Sequence, residues 1–181
     1  AMGLKNANGN QETAYGIVPW QRDNDVIYSM SSNEALEDMA GYHYTWDASG
    51  SYDGVTIKGN EKTKYPAFYY AGHYDEELAA QGAPITGSNI GKWYLGSMGE
   101  WFEMLKVLGY VDEFEDAYEE SYNGRVYVYT PSFIIKRAFE SAGGELTDDS
   151  YWTALESWDT DYSEAWYMTT DINARSYTYP W

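Results

Sequence analysis

The chain has 181 residues, 44% of them hydrophobic, which fits one domain with its own core and excludes extended disorder. Its formal net charge of −18, from 29 acidic and 11 basic residues, argues against nucleic acid and anionic membrane surfaces as partners. The absence of cysteine excludes thiol catalysis, disulfides and cysteine-bound zinc, and no stretch is apolar enough for a transmembrane helix.

The first 74 residues carry few regular signals. Residues 1–14 are predicted to be a flexible arm, with residues 1–3 typical of a cloning remnant, and residues 15–181 are predicted to form a single domain. Residues 31–34 form a helix cap, which predicts a short helix ending at Gly41. Residues 42–74 are predicted to be long loops with short strands at 55–57 and 67–70.

Two stronger helices are predicted after residue 90. Ser97 and Glu100 form a capping box, in which Ser97 bonds the third amide of the helix and Glu100 reaches back to the cap. Apolar residues then recur at helical spacing, and Trp101 is among them, so it is predicted to be a core residue. The second helix is predicted to start at residues 130–131 and to end at residues 143–144.

An acidic run lies between these helices, at residues 112–120. It has two interpretations, a solvated helix face or loop and a cation site, although its spacing fits no EF-hand loop. Residues 125–129 alternate apolar and polar side chains after Asn123 and Gly124, which predicts a hairpin strand.

The last 31 residues, 151–181, contain five tyrosines and four tryptophans among small polar residues. That composition is typical of a binding surface, because rigid rings supply contact area and small polar groups supply hydrogen bonds. It is equally typical of an aromatic-rich sheet edge. Strands are predicted at 151–153, 165–169 and 175–179. The predicted fold class is therefore α+β, with two helices packed on small antiparallel sheets and long loops.

Four blocks of sequence resemble a bacterial family with the C-type lectin fold. Residues 91–100 are similar to its G-x-W-Y-L-P-S-x-x-E segment, and residues 135–146 to its I-x-x-A-x-x-x-A-G-G-x-x-L helix and exit. Residues 151–156 resemble its Y-W-S-S-T-E, and residues 165–167 match its A-W-Y strand. The family includes the C-terminal domains of collagen-like adhesins and is related to variable proteins of diversity-generating retroelements. The resemblance implies a C-type lectin-like fold that displays a variable C-terminal segment.

The resemblance also implies roles for single residues. The scaffold would include Trp93, Leu95, Trp101, Trp152 and Trp166. The predicted ligand-binding residues are Trp158, Asp159, Asp161, Tyr162, Tyr167, Thr169, Asp171, Asn173, Arg175, Tyr177 and Tyr179. Strand register decides which of these share a face. This chain has Gly96 where the family has proline, which predicts a looser turn. The family continues into a closing V-R-P-V-like strand where this sequence stops at residues 179–181, so either the end is truncated or other residues close the fold.

The predicted function is a ligand-binding display domain, a receptor or adhesin, diversified by a retroelement. Its partner would be a protein or a glycan, and its location the bacterial surface, the extracellular space or a phage particle. No catalytic residues, cofactor, metal or calcium are predicted, and an oligomer is compatible with the sequence. Two alternatives are a glycan-acting enzyme with two carboxylates and a structural subunit of a pilus or phage tail.

Overall fold

The described part of the first half of the chain, which we call the helical half, consists mainly of short helices, and the second half holds two longer helices and all but one of the described strands. The computed structural model describes residues 29–30, 32–80, 82, 84–87, 91–109, 118–120, 125–129, 132–144, 150–157, 165–171 and 175–180. The helices among them are α1 (Ser32–Glu37), α2 (Gly41–Trp46), α3 (Pro66–Gly72), α4 (Tyr74–Ala80), α5 (Met98–Gly109) and α6 (Ser132–Ser141). The strands among them are β1 (Ser29–Met30), β2 (Tyr118–Glu120), β3 (Arg125–Tyr129), β4 (Ser150–Ser157), β5 (Ala165–Asp171) and β6 (Arg175–Pro180).

The described strands form one sheet, in the order β1-β4-β5-β6-β3-β2. The edge strand β1 runs parallel to β4, and every other neighbouring pair is antiparallel. The pairing of β4 with β5 shifts between Trp152 and Glu156, which is the signature of a bulge. The strand that precedes α6, β3, thus lies next to the C-terminal strand β6.

Helix α5 begins at the predicted capping box, but only one of its two predicted hydrogen bonds is formed. The Ser97 amide donates to Glu100 Oε2 at 2.8 Å, so the glutamate does reach back to the cap. The Ser97 hydroxyl instead donates to the Asp38 carbonyl at 2.5 Å, and it also lies 3.1 Å from Glu100 Oε2. Ser97 is fully buried, and its hydroxyl supplies a hydrogen-bond donor to the carbonyl of Asp38, the residue directly after helix α1. The box therefore joins two helices as well as starting one.

Helix α6 ends where the two predicted glycines stand. Gly143 has φ +81°, and its amide donates to the Glu140 carbonyl at 3.0 Å. The Gly144 amide donates to the Phe139 carbonyl at 2.9 Å. These two bonds are those of a Schellman motif, which satisfies carbonyls at the end of a helix and favours glycine at the left-handed position.

Two hydrophobic clusters form the core of the described region. The first joins the helical half to the sheet, since Tyr65 and Phe68 belong to it together with Met98 and Leu155. The second lies between helices α5 and α6 and strand β4, and Leu105, Ile135 and Phe139 are its buried members. Tyr151, Trp101, Met104 and Leu108 pack against this second cluster. Trp101 is thus a half-buried packing residue.

The predicted fold class, α+β with two helices on small antiparallel sheets, is wrong. Residues 42–74, where long loops with short strands were predicted, hold most of helix α2, all of helix α3 and no described strand. The described strands belong to a single mixed sheet of six, not to small antiparallel sheets. The reason is that tertiary packing in the first half overrides the strand preference of its tyrosines and threonines.

Helix α3 shows how that override works. Residues 67–70 were predicted to be a strand, but they lie inside the helix, which has Pro66 at its first position. Tyr65, Phe68 and Gly72 are buried, and their spacing of three and four residues is helical. The rings of Tyr65 and Phe68 meet edge to face, with centroids 6.1 Å apart.

The second predicted strand, residues 55–57, is also absent. The Asp53 carboxylate accepts hydrogen bonds from the amides of Val55 and Thr56, at 2.9 and 2.8 Å. Gly54 has φ +65°, so the chain turns at this point. Amides that bind a side chain are not available for pairing with a neighbouring strand. Hydrogen bonds from Thr56 first, and then from Val55 and Ser51, also hold the pKa of Asp53 far below its ordinary value.

The first predicted helix ends earlier than expected. Helix α1 stops at Glu37, and Gly41, predicted to be its end, begins α2 instead. A side chain at Gly41 would lie 2.6 Å from the Leu95 carbonyl and 2.7 Å from the Ser97 amide. This glycine is needed because α2 approaches residues 95–97 closely, not because it caps α1.

Candidate functional site

Strands β5 and β6 align six of the eleven predicted ligand-binding residues in pairs. Successive odd-numbered residues of each strand share one face of a sheet. Residues directly opposite in an antiparallel pair also lie on the same face. The three pairs are Tyr167 with Tyr179, Thr169 with Tyr177, and Asp171 with Arg175. The register therefore places these six residues on one face of the sheet.

Strand β3 extends this face with residues that are not among the predicted ligand-binding residues. Tyr127 lies opposite Tyr177, and Tyr129 lies opposite Arg175. On its other side, Tyr127 lies opposite Tyr118 of β2. We call the face that carries these positions of β2, β3, β5 and β6 the tyrosine face. The alternation of residues 125–129 already contained this signal, but the pairing of β3 with β6 could not be read from it.

At strand β4, the opposite face of the sheet contacts helices α5 and α6 through Tyr151. The ring of Tyr151 packs beside Trp101, with centroids 5.6 Å apart, and against the second core cluster. Tyr151 lies opposite Met168, whereas its neighbour Trp152 lies opposite Tyr167. Since neighbouring residues of a strand point to opposite faces, the tyrosine face is not the one on which Tyr151 packs.

The β4 end of the tyrosine face adjoins the helical half of the molecule. Trp152, which occupies a position of that face, is half-buried and packs against the first core cluster. The Ala154 amide donates to the Gly96 carbonyl at 2.8 Å, so the turn at residues 95–97 is bonded directly to β4. A side chain at Gly96 would meet Trp101 only at ordinary contact distance, 3.5 Å. The Leu95 amide donates to the Thr45 hydroxyl at 3.2 Å, so the turn predicted to be looser is hydrogen-bonded both to β4 and to helix α2.

The remaining predicted ligand-binding residues lie outside the described residues. They are Trp158, Asp159, Asp161, Tyr162 and Asn173. The first four belong to the connection from β4 to β5, and Asn173 belongs to the connection from β5 to β6. The acidic residues 112–117, the arm at 1–14 and the helix-start residues 130–131 are outside as well.

The predicted scaffold residues are held by packing where their side chains are described. Leu95 is buried in the first cluster, and Trp93 meets Tyr74 edge to face with ring centroids 4.9 Å apart. Within the described residues, the Nε1 atoms of Trp93 and Trp101 are buried without a hydrogen-bond partner. The side chain of Trp166 is not among those described.

None of the helices in the described part of the chain has the length and apolar character required to cross a membrane. The same residues contain no group of three or more histidine, aspartate and glutamate side chains arranged to hold a metal ion. Comparison with protein-family models, curated proteins and solved structures finds no match to this chain.

Proposed function

We propose that this protein is a ligand-binding display domain whose contact surface is the tyrosine face. The observation that supports the proposal is the register of β5 and β6, because it aligns three pairs of predicted ligand-binding residues on one face. The four strands of this face carry tyrosines at six of its positions, which are 118, 127, 129, 167, 177 and 179. Tyrosine provides a large contact area at low entropic cost, and it dominates binding surfaces for that reason.

The ligand of such a face would be a protein or a glycan. Tyrosine rings stack on the C–H faces of sugars and pack equally well on protein surfaces. Asp171 and Arg175, which lie opposite each other, add charges of both signs at one end of the face. The net charge of −18 disfavours nucleic acid. We place the protein at a bacterial surface, in the extracellular space or on a phage particle, as its resemblance to adhesin domains implies.

Single substitutions on β6 test the proposal. The purified chain is screened on a glycan array and on intact bacterial cells, and the strongest interaction is measured by biolayer interferometry. Tyr177→Ala and Tyr179→Ala should each weaken binding by about 2 kcal/mol, roughly 30-fold in Kd, as central aromatic contacts do. The melting temperature should change little.

Tyr52 provides the matched control. It lies in a turn outside the sheet and is 66% exposed, so Tyr52→Ala removes a tyrosine without touching the proposed surface. Binding by this variant should equal that of the wild type. Unchanged affinity in both β6 variants would show that the ligand binds elsewhere.

Diversification by a retroelement is a separate part of the proposal. It predicts a reverse transcriptase gene near the coding sequence, and a template repeat that nearly matches the codons of residues 151–181. The two copies should differ at adenines, and the changed codons should include those of Tyr167, Tyr177 and Tyr179. A genome region without such a repeat would refute diversification by a retroelement. The proposal of ligand binding would still stand or fall on the variants of Tyr177 and Tyr179.

A further inference from the structure

A row of four aromatic rings lies on helices α2 and α3 and just after them. The rings of Tyr69 and His73 are stacked, with centroids 4.2 Å apart and an interplanar angle of 21°. His73 also meets Trp46 at 5.8 Å, and Tyr69 meets Tyr70 edge to face at 5.7 Å. All four residues are half-buried. We call Trp46, His73, Tyr69 and Tyr70 the ring row.

The ring row is held in place by close backbone contacts. The Trp46 Nε1–H donates to the Trp93 carbonyl at 2.6 Å. A side chain at Gly59 or Gly72 would lie 2.8 or 2.7 Å from the Trp46 ring, so both glycines are needed for the indole to fit. A surface whose rings are already fixed loses little entropy when a ligand stacks on them.

The imidazole at the centre of the row is also oriented. The His73 Nδ1 lies 2.9 Å from the Tyr69 carbonyl. A carbonyl oxygen can only accept a hydrogen bond, so Nδ1 carries the proton. That tautomer leaves Nε2 as an acceptor for a hydroxyl group when the ring is neutral.

Lysine ammonium groups lie over both ends of the ring row. Lys92 Nζ is 4.4 Å from the centroid of the Trp46 ring. Lys62 Nζ is 5.0 Å from that of Tyr70 and 5.8 Å from that of Tyr69. Both lysines are exposed. Only 11 basic residues occur in the whole chain, and a second pair, Lys58 and Lys64, lies over the neighbouring ring of Tyr65. Positive charge is thus concentrated around α3 in a strongly acidic protein.

The surrounding acids limit how much negative charge a ligand can carry. Glu61 precedes Lys62, and Asp75 and Glu76 follow the row at the start of α4, all exposed. More distant acids are screened beyond about 8 Å at physiological salt. A ligand with one carboxylate per sugar is therefore favoured over a heavily sulphated chain, which the net charge would repel.

We propose that the ring row is a second binding site, which takes a short oligosaccharide of uronic acid residues. The C–H faces of the sugars would stack on the rings, their carboxylates would bind Lys92 and Lys62, and His73 Nε2 would accept from a hydroxyl. The site rests on residues of the helical half and does not depend on the tyrosine face. Cation–π contact alone would explain the lysines without any ligand, and the following experiment separates the two explanations.

The test titrates the full chain with trigalacturonate and with its methyl ester, monitored by isothermal calorimetry and by NMR of the backbone amides. The acid should bind with shifts in residues 46, 69–73 and 92, and the uncharged ester should bind about tenfold more weakly. Lys92→Gln and Lys62→Gln should each raise Kd about threefold, as expected for exposed charge pairs.

Two control variants make the result specific. Lys106→Gln removes a half-buried lysine of α5 that pairs with Glu103 and lies outside the ring row, and it should leave Kd unchanged. Tyr177→Ala should also leave trigalacturonate binding unchanged, which separates this site from the proposed function. The proposal would be overturned by the absence of saturable binding or by equal affinity for the acid and the ester. Wild-type affinity in the variant that combines Lys92→Gln with Lys62→Gln would overturn it as well.

Discussion

For Gly99→Ala, helix propensity predicts a gain in the free energy of unfolding, whereas the structure predicts a loss. Gly99 is the second residue of α5, and replacing a helical glycine with alanine stabilises a helix by up to about 1 kcal/mol. In this fold a side chain at Gly99 would lie 2.4 Å from the Asp38 carbonyl oxygen and 2.8 Å from that of Leu36. Both distances are well inside van der Waals contact, so the substitution should destabilise the protein.

The atoms that a side chain at Gly99 would meet belong to the backbone, and this determines how much stability the substitution costs. The Asp38 carbonyl cannot rotate away, because it accepts the bond from the buried Ser97 hydroxyl. Overpacking costs about 1–3 kcal/mol, and stretching that buried bond costs about 1 kcal/mol more. After subtracting the propensity gain, we expect a net loss of about 2 kcal/mol, which lowers the melting temperature by about 4–8 °C in a chain of this size.

Thermal melts followed by circular dichroism, with urea titrations for the free energy of unfolding, provide the measurement. Gly91→Ala is the matched control, since no atom would lie within 4 Å of its new side chain, and its melting temperature should stay near that of the wild type. A Gly99→Ala protein as stable as the wild type, or more so, would refute the close approach of α5 to the end of α1.

Three further predictions concern the start of helix α5, the end of helix α6, and Tyr94 beside Glu100. Glu100→Gln keeps the shape of the cap but removes the charge that the Ser97 amide binds, so urea titration should show a loss of about 1 kcal/mol. Gly143→Ala should also lower the free energy of unfolding by about 1 kcal/mol in the same assay. This loss should be backbone strain at φ +81° alone, because no atom would lie within 4 Å of the new side chain. Gly143→Asn should cost less, since asparagine tolerates the left-handed conformation better than alanine does. Burial, and then the Glu100 carboxylate, raise the pKa of Tyr94 from 10.0 to about 12. The folded state thus keeps a proton that the unfolded state loses, so the wild type should lose stability relative to Tyr94→Phe as the pH rises from 10 toward 12; a constant difference would contradict the shifted pKa.

Local signals in the sequence were sufficient for helices α5 and α6. The Ser97–Glu100 box marks the start of one, and the glycine pair at 143–144 marks the end of the other. Both signals act through hydrogen bonds within a few residues of each other, so they operate in almost any tertiary context. The strand segments 125–129, 151–153, 165–169 and 175–179 likewise lie within β3, β4, β5 and β6.

The helices of residues 41–80 could not be predicted in the same way. Their sequence is rich in tyrosine, threonine and glycine, which favour strands and turns over helices. The helical spacing of Tyr65, Phe68 and Gly72 becomes meaningful only once Met98 and Leu155 are known to pack against them. Because those partners are distant in sequence, a local pattern gives no indication of the burial that stabilises α3.

The odd-numbered positions from 167 to 171 and from 175 to 179 were predicted from the family resemblance, with their faces left to the strand register. The register pairs them with each other and so places them on one face, while their role in binding stays a prediction. Tyr127 and Tyr129 were missed because β3 precedes α6 and β4 in the chain but pairs with β6. Strand order is a non-local property, so composition near Tyr127 could not show it.

Three hydrogen bonds among the described residues anchor the helical half, and none of these three is made by a residue of β5 or β6. Ser97 bonds to Asp38, Trp46 bonds to the Trp93 carbonyl, and the sheet is joined to this half through the Ala154 amide on β4. A substitution at Tyr177 or Tyr179 leaves all three bonds intact. Stability effects of residues without shared partners are nearly additive. Changes on the tyrosine face should therefore have little effect on these anchors, which is the separation that the proposed binding function and its diversification would require.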